Sequence, residues 1–171
     1  MIDEKTIKMF DGIIEINKKI ILNKEHFSPM CVIVEKGHKL SMVVMPFSDS
    51  KSKNASREML KKLVLSKQTI AYMLGMDTRM TMMDTKNKSN VVVKDALVHS
   101  IFSPNDRFVK VMIYDEKDGK RFVETERTED SGQHNSNWDV WNPHADEDVD
   151  DIEKAYARYK QDNPDKYGDV I

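Results

Sequence analysis

The sequence predicts an α+β domain: a mainly antiparallel sheet of about five strands packed against two helices, followed by a C-terminal helical tail. Three observations predict it. Two apolar segments pair across short polar turns as hairpins, two stretches carry apolar residues at helical spacing, and a ten-residue stretch with no apolar residue separates this body from an aromatic tail.

In chain order, Ile7, Phe10, Ile14 and Ile21 fall near a 3.6-residue repeat after Asp3, a capping residue, which predicts an amphipathic first helix over 3–22. Met30-Cys31-Val32-Ile33-Val34 and Leu40 to Met45 then flank Glu35-Lys36-Gly37-His38, a hairpin pattern that Pro46 stops. Because both faces of these segments are apolar, they are expected to be central strands. The polar run 48–54 leads into Met59, Leu60, Leu63 and Val64, the stripe of a second helix. Its end has two readings: a helix running to Leu74 and capped by Gly75, or a helix stopping near Lys67 with Thr69 to Leu74 as a strand. The β-branched and aromatic content favours the strand.

A further strand is expected within 91–102, after the polar loop 86–90. The clearest local signal is Phe108 to Tyr114, which passes through Asp115-Glu116-Lys117-Asp118-Gly119 and returns as Arg121 to Glu124. The returning strand turns polar at Thr125-Glu126-Arg127, as a protected sheet edge does.

These segments divide the chain into an α+β domain at 1–127, a polar linker at 128–137 and an acidic, aromatic helical tail at 138–171. The linker has no apolar side chain with which to offset ordering entropy. The tail combines Trp138 and Trp141 with a helical stripe of Val149, Ile152, Tyr156 and Tyr159. From Asp139 onward there are ten Asp or Glu against four Lys or Arg, net −6, which leaves 23 basic against 19 acidic residues, net +4, in the rest of a chain of net charge −2.

The order helix, hairpin, helix, strand, hairpin and Trp-containing tail, over about residues 3–141, resembles in layout small uncharacterised α+β domains of prokaryotic and phage genomes. The resemblance implies the fold class and carries no site residue.

Composition bounds the function classes. At 171 residues one sizeable core is available. Acidic residues follow Met1 where a signal peptide needs positive charge, and no apolar run reaches membrane-spanning length, so a cytoplasmic protein with no membrane partner is expected. The lone cysteine, Cys31, rules out an internal disulfide and a multi-cysteine zinc site. In its apolar strand it reads as a small hydrophobe rather than a nucleophile. All six glycines stand isolated, so no phosphate-cradling loop is present and no cofactor is expected. Met73, Met76, Met80, Met82 and Met83 read as core filling, with a soft binding groove as the sharper option.

No His-Glu-x-x-His pair exists among His26, His38, His99, His134 and His144, and no metal is expected. If the chain is an enzyme, the candidate catalytic set is His99 with Asp95 and Asp106, because imidazole and carboxylates supply general bases and ligands for a hydrolase. The acids 146–151 lack the glycine and glutamate of a calcium loop and suit a helix N-terminus, with Lys154, Arg158 and Lys160 in its later turns. Lysines 51, 53, 61, 62, 86 and 88 suggest a solvated surface, and an acidic tail would oppose a polyanion, so nucleic acid is not the expected partner. The reading favoured overall is a non-enzymatic interaction or regulatory module, monomeric or a small homo-oligomer. Its contact residues would be Trp138, Trp141, Ile152, Tyr156 and Tyr159, whose apolar area is buried either by docking back onto the chain's own sheet, which avoids the entropy cost of association, or in a groove on a protein partner.

Overall fold

The computed structural model describes residues 1–45, 50–83, 86, 91–130 and 138–141. Asp3 starts the first helix, α1 (Glu4–Leu22): its extended backbone leaves the carboxylate free to accept from the Thr6 N–H at 3.0 Å and the Thr6 hydroxyl at 2.7 Å. Phe10, Ile14, Asn17 and Ile21 form the buried stripe.

Strands β1 (Met30–Glu35) and β2 (Lys39–Val44) form the first hairpin, turning through Gly37 and His38 at positive φ. Helix α2 (Ser50–Ser66) follows, then β3 (Thr69–Met83), β4 (Val91–Phe102), β5 (Arg107–Lys117) and β6 (Lys120–Asp130). All pairings are antiparallel and the sheet order is β2-β1-β3-β4-β5-β6. Asp118 and Gly119, both at positive φ, make the two-residue β5–β6 turn whose twist matches the strands.

One sheet face carries Val32, Val34, Ala71, Met73 and Ile101 against Phe10 and Ile14 of α1, and Leu97, Met112 and Tyr114 against Ile21. Cys31, Ile33, Tyr72 and Leu74 lie on the opposite face and are also buried, with Tyr72 stacked on Phe102 at 5.0 Å. Helix α2, which contributes buried Leu60 and Val64, packs on β3 from that side.

Two expectations are corrected. The sheet has six strands rather than about five, because the segment from Thr69, which the sequence left open between helix and strand, is a full strand paired with both β1 and β4. Of the first hairpin only β1 is central. β3 takes the free side of β1, so β2 is left at the edge with Leu40, Met42 and Val44 exposed. The strand reading at Thr69 holds, and that strand continues through Gly75 to Met83, with Met73 in the core and Met80 partly buried. At the far edge, Thr128, Glu129 and Asp130 are strand residues opposite Lys110, Val109 and Phe108, so pairing continues beyond Arg127.

The chain divides into a unit at 1–133 and a second at 134–171. In the second, the described residues 138–141 form a turn in which the Trp141 N–H donates to the Asp139 carboxylate at 3.1 Å. The expected tail helix lies outside the described residues.

Candidate functional site

Alternation along β4 sends Leu97, His99 and Ile101 toward α1. Directly across from His99 stand Gly75 on β3 and Lys110 on β5. Gly75 provides the room for the ring: a Cβ there would sit 3.2 Å from His99 Cδ2. From α1, Asn17 Nδ2 meets His99 Nε2 at 3.0 Å. An amide nitrogen can only donate, so Nε2 accepts and the ring proton sits on Nδ1. Burial pushes the pKa of His99 down to about 4, helped by the positive charges of Lys18 and Lys110, so the ring is neutral at physiological pH.

His99 and Leu97 lie in the floor of a cleft of about 420 Å³ walled by Lys18 of α1, Lys110 of β5 and Glu126 and Arg127 of β6. The wall charges are compensated within the chain. Lys110 pairs with Asp11 at 2.5 Å, and Lys18 pairs with Glu126 at 2.5 Å and Glu15 at 2.8 Å. Burial lowers the Lys18 pKa, but its hydrogen bonds to Glu126 and Glu15 outweigh that and raise it. Such a cleft has an uncharged, buried imidazole at its base and balanced charge at its mouth.

The other two members of the expected catalytic set lie elsewhere. Asp95 sits across the β3–β4 ladder from Arg79 and pairs with its Nε at 3.3 Å, while Asp106, in the β4–β5 connection, pairs with the Met1 amino group at 3.0 Å. The fold does not gather His99, Asp95 and Asp106 into one constellation. Among the described residues, no group of three His, Cys, Asp or Glu side chains is placed to share a metal ion. Cys31 is buried, and desolvation pushes its thiol up to about 12. Of the expected partner-binding residues, Trp138 and Trp141 lie in the described turn of the second unit, while Ile152, Tyr156 and Tyr159 lie outside the described residues.

Two apolar surfaces went unread in the sequence. One is the outer strand β2. The other is the arm where β3 and β4 outrun their neighbours: pairing with β1 stops at Gly75 and pairing with β5 stops at Asp95, so among the described residues Met80–Met83 and Val91–Lys94 pair only with each other. Val91, Val92 and Val93 are all exposed there. The available signal was the unbroken valine run, which a two-stranded ribbon has no third layer to cover. Among the described residues no helix is long and apolar enough to cross a membrane. In comparisons with known proteins, the chain matches no family model, no curated protein and no solved structure.

Proposed function

We propose that this chain is a non-enzymatic interaction module that binds another protein through apolar surface. The observation that carries the reading is the β3–β4 arm: three consecutive valines exposed on a ribbon with no covering element among the described residues. Exposed clustered apolar area is costly in water and marks contact surfaces when it is contiguous. Trp138, Trp141, Tyr156 and Tyr159 of the tail, with the aliphatic Ile152, are the second contact surface of this reading, since tryptophan and tyrosine are the residue types that dominate binding energy at interfaces.

The test compares three forms of the protein as bait: the full chain, a chain ending at Asn137, and a Val91→Lys/Val93→Lys double variant whose sheet is intact by circular dichroism. The reading expects a reproducible set of bound proteins that is lost or strongly reduced in the tail deletion, the arm variant or both. An unchanged set in both would overturn it.

A further inference from the structure

We propose that β2 is a homodimerisation edge, on which a second copy of this chain pairs its own β2 antiparallel about a two-fold axis at Met42. The inference deepens the interaction reading by naming one partner and the surface it uses.

The two sheet edges are built differently. β6 is guarded by charge, with Glu124, Glu126, Arg127 and Glu129 along it. β2 carries one charge, Lys39, at its start, and otherwise presents Leu40, Ser41, Met42, Val43 and Val44. An apolar strand with an open backbone edge is the template on which another strand adds.

The same-face register places Leu40, Met42 and Val44 beside Val34, Val32 and Met30, on the face that α1 covers. The helix crosses that face obliquely. Its N-terminus is held at the β1–β2 turn by His38 Nε2 and Asp3 Oδ1 at 3.0 Å, and its C-terminus lies at the β5–β6 end, where Arg121 Nη1 donates to the Ile21 carbonyl at 2.7 Å. Coverage of β2 therefore falls along the strand, and exposure rises from 42% at Leu40 to 51% at Met42 and 61% at Val44.

That gradient is self-complementary. With Met42 on the axis, Leu40 faces the second copy's Val44, so the better-covered end of each strand meets the barer end of the other. The N-terminal half of each α1, with partly buried Met9 and Ile13, then flanks the partner's Val44. Only an even register keeps both apolar rows on one face. Centring on Met42 pairs as many β2 residues as centring on Ser41, and Met42 is the axis because the Met45 N–H donates inward to the Pro29 carbonyl, so alternation turns the backbone groups of Leu40, Met42 and Val44 outward. The two Lys39 residues end up at opposite ends, roughly 20 Å apart at strand rise, so no like charges oppose each other. Pairing β2 with another copy's β6 would be head-to-tail and open-ended, and would set this apolar row beside carboxylates. A six-residue edge is small for a specific interface, so the dimer should form in the micromolar range rather than more tightly.

Sedimentation or light scattering of the full chain from low to hundreds of micromolar should show monomer converting to dimer. Met42→Lys and Val44→Lys, both at half-exposed positions, should remain monomeric throughout with melting temperatures near that of the parent. Under mild oxidation Met42→Cys should cross-link as a dimer faster than Lys5→Cys, because an opposed antiparallel pair brings Cα atoms within disulfide reach and the native Cys31 is buried. This readout decides the matter even if a lysine variant misfolds. A chain that stays monomeric at the highest concentration, or a dimer that the lysine variants and the cysteine placement leave unaffected, overturns the proposal. A monomer that still binds other proteins through its arm or tail defeats the dimer alone. A dimer whose arm variant and tail deletion bind an unchanged set defeats the broader reading alone.

Discussion

Asn17 and His99, 82 residues apart in the chain, meet at 3.0 Å between an amide nitrogen and Nε2 in the buried space between α1 and β4. The contact fixes the ring as its neutral Nδ1–H form, and folding therefore carries a proton-linked cost at low pH. The unfolded imidazole titrates near 6.5 and the folded one near 4, so the unfolded state binds more protons between those values. Stability from this group is complete above pH 6.5 and is lost as the pH falls toward 4, by on the order of 3 kcal/mol in all. Thermal melts from pH 7 to 4 should show that decline, and His99→Gln should flatten it. An equally steep decline in the variant would assign the linkage to other groups.

Gly75 is the counterpart of that ring on the neighbouring strand. A Cβ at this position would meet His99 Cδ2 at 3.2 Å, His99 Nε2 at 3.3 Å and Met30 Cγ at 3.4 Å. The ring is pinned by Asn17 and has little freedom to yield, so Gly75→Ala should destabilise by about 1–3 kcal/mol, as overpacking does. The His99 ring resonances should shift in the same variant. Parent-like stability with unmoved resonances would mean the ladder relaxes there at no cost.

Cys31 tests how tightly the sheet is closed between its layers. It is 1% exposed and desolvation holds its thiol at about 12, so almost no thiolate exists at pH 8. A thiol reagent should leave the native protein unmodified over hours and react stoichiometrically once denaturant passes the unfolding midpoint. Rapid labelling without denaturant would reveal local opening of β1.

Local chemistry made much of the fold legible. The Asp3 cap and the Phe10, Ile14, Ile21 stripe specify α1 within a few residues, the Asp118-Gly119 pair specifies its hairpin, and the β-branched and aromatic run after Thr69 is strand. What escaped is non-local. Whether β2 is central or outermost depends on which later strand takes the free side of β1, and nothing within Lys39–Val44 encodes that β3 does so. The candidate site failed to assemble for the same reason. Asp95 looked close to His99 by sequence, but a strand places residues four apart roughly 13 Å from each other, and the ladder gave Asp95 to Arg79. The partner His99 did acquire, Asn17, lies in a helix stripe whose other buried members, apart from Thr6, are apolar.

Gly12 offers the converse of Gly75. It lies in the middle of α1, exposed, and beyond its chain neighbours and the helix's own backbone no heavy atom comes within 4 Å of a Cβ built on it. A glycine there loses backbone entropy on folding that alanine does not, a difference of about 0.8–1 kcal/mol in a helix interior. Nothing in the surrounding structure requires the missing side chain, since the φ is helical and the buried stripe runs along Phe10, Ile14 and Asn17. Gly12→Ala should therefore raise the melting temperature by roughly 2–4 °C for a chain of this size. Because the substitution faces water and leaves Asp11 and its Lys110 partner in place, the pH dependence set by His99 should not change. A melting temperature that falls instead would mean that this side of the helix is covered in solution, and comparing the shift at low and high protein concentration would show whether the cover comes from a second copy of the chain.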